Sequence, residues 1–199
     1  MLGVGCHQRE SQARLRTLEI QLSNNHLPVS VLCDPSSARP ITKVAGAYMK
    51  VPWAANASPS AFEVEVANMV RVMLQSGINV ALAGHSYGGL VVSKVAGMLW
   101  RAANDGVDRR DPRHTPGRLD VATFGTIFIP PPSVPSVPIE HYLFHGDIAR
   151  RFAKPNNADG SVVSLDPPYP GMTAWEIHNS YEYLVIEHFG AVTLQGRGR

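Results

Sequence analysis

Apolar residues fall along this chain in short runs that alternate with longer, helically spaced segments. Leu15, Leu18 and Leu22 repeat at a helical interval and predict a helix over Arg9 to Asn24. Pro28 to Asp34 reads as a short strand. Pro35 to Ala57, rich in Pro, Ala, Ser and Asn, reads as a long loop with one extended piece at Val44 to Val51. A helix start follows, with Ser58 as cap, Pro59 at the first helical position, and Glu63 and Glu65 near the positive end. Phe62, Val66, Met69, Val70, Met73 and Leu74 mark its apolar face, with the methionines as core filling, and Gly77 stops it.

Ile78 to Ala83 is apolar at five of six positions and predicts a strand buried on both faces. Gly88 to Asn104 returns to a helical period through Leu90, Val91, Val95, Met98 and Leu99. Leu119 to Gly125 and Ile139 to Gly146 read as further strands, Val162 to Leu165 as a short last one, and Asn179 to Phe189 as a helix. Ile127 to Pro138 has proline at five of its twelve positions and cannot be a central strand. Alternating strands and helices predict an α/β fold with a mostly parallel central sheet covered on both faces.

Composition narrows this picture. At 199 residues, the chain is expected to form a single domain, 1–199. A formal charge of +2 argues against a nucleic-acid partner. The arginine groups at 109, 110 and 113, at 150 and 151, and at 197 and 199 read as solvated loop or tail charges. Cys6 and Cys33 make neither a disulfide framework nor, alone, a metal site. No apolar run approaches the ~20 residues of a transmembrane segment, and no secretory signal is visible. The default expectation is therefore a cytoplasmic protein.

The chemistry concentrates at Gly84-His85-Ser86-Tyr87-Gly88, a G-x-S-x-G match lying between a strand and a helix. A tight turn there holds the serine in a strained backbone conformation, and the glycines let neighbouring elements approach without Cβ clashes. Ser86 Oγ then stands beside the positive end of a helix and the Tyr87 amide, where an oxyanion is stabilised. A non-catalytic tight turn is the alternative for this stretch. A serine alkoxide is inaccessible at neutral pH, so Ser86 needs a histidine base, and the base needs an orienting carboxylate.

GHSYGG resembles the nucleophile elbow of the α/β-hydrolase superfamily, close to the form seen in lipases and esterases. The second half, roughly Asn79 to Tyr183, also loosely resembles class 3 lipases: the elbow, Thr123-Phe124-Gly125 ending the next strand, Asp147 after the one that follows, and the late His178. The first half departs from that family. The resemblance implies a minimal α/β-hydrolase fold and the chain order serine, acid, histidine.

On that order His178, in a loop just before a helix, is the expected base. His114 falls in a charged loop, His141 and His145 in the strand that delivers the acid, and His188 near the end of the last helix. Asp147 terminates a strand on the side facing the serine and is the favoured acid, with Asp166 its competitor and a surface salt bridge to Arg150 or Arg151 the structural alternative. Leu2-Gly3-Val4-Gly5 resembles the loop whose amide completes the oxyanion hole, which would make Val4 the second donor beside Tyr87. A plain flexible terminus is the other reading. Ile127, Phe128 and Ile129 open the proline-rich segment, a candidate substrate-binding wall or lid or else a stiff surface connection.

The expected function is hydrolysis of carboxylic esters, small-molecule or lipid, through an acyl-enzyme on Ser86, His178 and Asp147. No cofactor or metal is expected. An acyltransferase or thioesterase would use the same triad, and a binding protein on an inactive hydrolase fold would use none of it.

Overall fold

The computed structural model describes residues 58–104, 119–127, 139–153 and 162–181, together with Arg16 and Ile20, both helical and exposed. The predicted elements at Pro28 to Asp34 and Val44 to Val51, the oxyanion loop at Leu2 to Gly5, and Phe128 to Pro138 lie outside these residues.

Among the described residues, four parallel strands form one sheet in the order in which they occur: β1 (Val80–His85), β2 (Leu119–Phe124), β3 (Ile139–Phe144) and β4 (Val162–Leu165). Within the described residues of 58–181 these are accompanied by the helices α1 (Ala61–Gln75), α2 (Tyr87–Asn104), α3 (Arg150–Ala153) and α4 (Ala174–His178). The described part is therefore α/β with an all-parallel sheet. Among the described residues, no helix is long and apolar enough to cross a membrane.

Side chains alternate across the pleat, so register assigns each strand residue to a face. Val80, Leu82, Leu119, Val121 and Ile139 face one way, where they join Val66, Val70 and Leu74 of α1 and Val91, Val92, Val95 and Leu99 of α2 in the main core. Ala83, Ala122, Phe124, Tyr142, Phe144 and Leu165 face the other way. They meet Ile177 and Tyr181 in a second cluster. The first cluster fixes the helix that follows the elbow, and the second seats the histidine-bearing segment.

Local signals explain the helix limits. The cap of α1 is Ser60, not Ser58: its hydroxyl accepts from the Glu63 amide and Glu63 returns a bond to the Ser60 amide. This reciprocal box satisfies two orphan donors, and a cap at Ser58 would lack the glutamate three residues on. Glu63 also pairs with Lys94 at 2.9 Å, tying α1 to α2. At the other end Gly77 adopts φ 79°, and its amide and that of Ile78 return to Leu74 and Met73.

The apolar face of α1 is narrower than its sequence spacing predicts. Met69 is 43% exposed and Met73 half-buried, because Val66, Ala67, Val70 and Leu74 already fill the contact with α2. Burial of β1 on both faces holds only at its C-terminal end, at Ala83 and Gly84. Ala81 is exposed, as is Ile78 ahead of the strand.

Candidate active site

The C-terminal ends of β1, β2 and β3 bring the site together. Ser86 follows β1 directly, with φ 56°, the only non-glycine in the left-handed region among the described residues. A residue with a Cβ sits there only with strain. Three contacts hold the turn. The Ser86 amide donates to the Phe124 carbonyl at 3.0 Å, which fastens the elbow to β2. The Gly89 amide donates to the Ser86 carbonyl at 3.0 Å, which starts α2. Gly84 lies so close to the helix that an added Cβ would fall 2.3 Å from the Gly88 carbonyl oxygen. The motif's glycine is thus required by backbone against backbone, not by flexibility. Tyr87 is the first residue of α2, placing its amide at the positive end of an 18-residue helix.

Asp147 is reached through a turn after β3. It is 2% exposed, and three donors surround it. His178 Nδ1 lies 2.9 Å from Oδ1, the Ala149 amide donates to the same oxygen at 2.7 Å, and the Tyr181 hydroxyl donates to Oδ2. Burial alone would raise the Asp147 carboxyl, but the hydrogen bond and charge of His178, with the Tyr181 and Ala149 bonds, hold it below its ordinary range. Burial, and the carboxylate beside it, push the Tyr181 phenol far above its usual range, so it remains a donor. Its oxygen in turn accepts from the Phe144 amide at 2.9 Å, anchoring it to the end of β3.

His178 ends α4. A second capping box, Thr173 with Glu176, opens this helix of little more than one turn, and Asn179 closes it. A helix therefore leads into and includes the histidine, and of the helix expected over Asn179 to Phe189 all but the first three residues lie outside the described residues. Asn179 to Tyr181 is not helical because the chain turns there to bury Tyr181. The His178 ring is 3% exposed, and its Nε2 lies 2.9 Å from Ser86 Oγ. Since Asp147 takes Nδ1–H, Nε2 is the acceptor and the serine hydroxyl the donor.

The structure brings Ser86, His178 and Asp147 into one hydrogen-bonded chain. Asp166 is exposed beyond β4, and Asp147, not Asp166, occupies His178 Nδ1. Arg150, considered as a salt-bridge partner for Asp147, instead donates to Ser164 at 3.0 Å. His141 is buried within β3, 2.7 Å from Thr123 Oγ1 on the α1–α2 side of the sheet, and His145 is exposed. His114 and His188 lie outside the described residues.

Of the three proposed wall residues, Phe128 and Ile129 also lie outside. Ile127 is fully buried against Ala149 and Tyr87, so it packs beneath the elbow as core, and its side chain is no exposed wall. Trp175 stands differently. It is 55% exposed, with its ring centroid 5.9 Å from that of His178. Val4, the second expected oxyanion donor, is outside the described residues.

Sequence reasoning missed two residues at the site. Tyr181 sits three positions after His178, and its role rests on a contact to Asp147 34 residues away. His85, the variable position of the motif, reaches the His178 backbone. The Thr123-Phe124-Gly125 stretch gains a physical account: Gly125 adopts φ 54°, and a Cβ there would come 2.6 Å from the Tyr181 ring and 3.0 Å from Asp147 Oδ2. Only glycine leaves room for the Tyr181–Asp147 pair.

Among the described residues, no group of three or more His, Cys, Asp and Glu is arranged to hold a metal ion. Comparison of the chain with protein-family models, with curated proteins and with solved structures finds no match to any of them.

Proposed function

We propose that this chain is a serine hydrolase of the α/β-hydrolase type, cleaving carboxylic esters through an acyl-enzyme. The observation that carries the reading is the relay from Ser86 Oγ through both nitrogens of His178 to Asp147, each step 2.9 Å, with the serine raised on a left-handed turn. A serine hydroxyl is a poor nucleophile alone, and a base within hydrogen-bond reach, itself oriented by a carboxylate, is the arrangement that activates it.

In this reading Ser86 Oγ attacks the ester carbonyl while His178 Nε2 takes its proton. Asp147 keeps the ring in the required tautomer and stabilises the imidazolium as it forms. Charge developing on the carbonyl oxygen meets the Tyr87 amide and the positive end of α2. His178 then returns the proton to the departing alkoxide, leaving an acyl group on Ser86, and water activated by the same histidine releases the acid. Trp175, exposed beside the base, offers apolar surface to the acyl or alcohol part of the substrate.

Hydrolysis of p-nitrophenyl esters from acetate to palmitate, with Ser86→Ala as control, tests the proposal. Turnover is expected in the wild type and near background in the variant. Turnover in Ser86→Ala at a tenth or more of wild type, in material free of contaminating esterase, would refute it. Product analysis in excess alcohol separates transfer of the acyl group from its hydrolysis.

A further inference from the structure

We propose that His85 is a positioning residue for the base: its Nε2–H binds the backbone carbonyl of His178 and ties the histidine segment to the strand that carries the nucleophile. This rests on the serine-hydrolase reading of the site and adds to it a residue outside the Ser86–His178–Asp147 relay.

The observation is a hydrogen bond of 2.8 Å between His85 Nε2 and His178 O, across 93 residues of sequence. A carbonyl only accepts, so Nε2 is the protonated nitrogen. The last carbonyls of a helix have no intrahelical amide to bind. The two amides that follow α4 turn to other carbonyls: Asn179 to Trp175 and Glu176, and Ser180 to Ile177. The His178 carbonyl is taken by the His85 ring. α4 is only five residues long and closes with its functional side chain at the end, where helices fray most readily. A side chain reaching from β1 fixes the backbone at that weak point.

Geometry makes the tether specific to the chemistry. His85 is adjacent to Ser86, so one strand end sets the nucleophile and holds the base's main chain. Nucleophile and base are thereby linked twice, through Ser86 Oγ to His178 Nε2 and through His85 Nε2 to His178 O. The rings of His85 and His178 lie 5.0 Å apart by centroid, and His85 also faces Tyr181 at 5.7 Å. The ionisable groups around it are thus His178, Tyr181 and, behind them, Asp147. Burial, and then the nearby His178, lower the His85 ring to about 4, so it stays neutral where the base must gain and lose a proton. It donates one hydrogen bond without bringing a second positive charge to the site.

The experiment compares His85→Ala, His85→Asn and His85→Gln in the full chain. Glutamine places an amide N–H near the position of Nε2, whereas asparagine stops short. Three readouts are taken: the rate at which a fluorophosphonate probe labels Ser86, kcat and KM for a short p-nitrophenyl ester, and the downfield Nδ1–H proton resonance of His178. Alanine and asparagine are expected to slow labelling and lower kcat by about 10- to 100-fold, the scale for a misplaced catalytic group, with KM little changed. The His178 resonance broadens in both, and glutamine restores rate and resonance together. Should alanine fail to fold, the glutamine–asparagine comparison decides. Equal rates and an unchanged resonance in all variants, or glutamine as impaired as asparagine, would overturn the tether. A wild type that the probe does not label would defeat the hydrolase reading, while the resonance comparison still decides whether His85 holds His178.

Discussion

Tyr181 donates to Oδ2 of Asp147, the carboxylate oxygen that His178 does not bind. The acid is therefore held from both sides, and its Oδ1 is further fixed by the Ala149 amide. Tyr181→Phe removes that donor and leaves the buried Phe144 amide without the oxygen it binds. A buried group left unsatisfied costs about 1–3 kcal/mol, so the urea midpoint is expected to fall accordingly. Turnover is expected to fall about tenfold, corresponding to about 1.4 kcal/mol at the transition state. A variant with wild-type stability and kcat would show that the phenol is dispensable.

Asp147→Asn replaces an ion that accepts three hydrogen bonds by an amide that cannot accept them all. The expected loss in kcat is on the order of 10⁴-fold, the scale measured when a serine-protease triad loses its carboxylate. Asp166→Asn, at an exposed position past β4, should leave kcat within experimental error. Steady-state kinetics on one ester decides between the two carboxylates.

Backbone strain at Ser86 gives a test of fold apart from chemistry. Ser86→Ala and Ser86→Gly both remove the Ser86 hydroxyl, but only glycine accepts φ 56° without Cβ crowding. The left-handed conformation costs an L-residue about 1–2 kcal/mol, and glycine's extra chain entropy offsets about 0.5–1 kcal/mol of that relief. Ser86→Gly is expected to be the more stable of the two variants by up to about 1 kcal/mol. Denaturant melts of the pair check it, and a less stable glycine variant would contradict the strain.

Acid should destabilise the fold in two stages. The unfolded chain protonates His85 near 6.5, whereas the folded chain resists until about 4. The unfolded state therefore binds the extra proton between these values, and stability falls as pH drops from 6.5 to 4. The loss from this one ring is at most about 3 kcal/mol. Asp147 acts below that: its folded carboxyl lies under the ordinary 3.8, so its contribution is present above that value and disappears as pH falls through the folded one. Urea midpoints between pH 4 and 7 should slope downward toward acid, and less steeply in His85→Gln, which cannot titrate.

The elbow was readable from sequence because its requirements are local: an apolar run, small residues where backbone meets backbone, and a helical period afterwards. Asp147 and His178 followed from chain order once the resemblance was granted, and the four described strands fall within a residue or two of their predicted limits. Helix starts were less well placed. Two serines flank Pro59, and only the glutamate three residues beyond Ser60 selects between them; Thr173 and Glu176 carry the same signature ahead of His178. Met69 was misassigned because helical spacing gives a face but not its width. Tyr181 and His85 could not be found from spacing, since their partners lie 34 and 93 residues away and are set by tertiary closure.

The strand order β1-β2-β3-β4 means that each successive strand joins the sheet at the same growing edge. Ser86 stands at the beginning of that progression and His178 past its end, 92 residues later. A nascent chain emerging in sequence order therefore exposes its hydroxyl early, beside no base, and carries Asp147 next, still unpaired. The hydrogen-bond relay closes only when the segment through Tyr181 has docked over the four described strands. On the proposed function, any turnover that depends on this relay would begin only after that docking, so its onset would time the closure of the site.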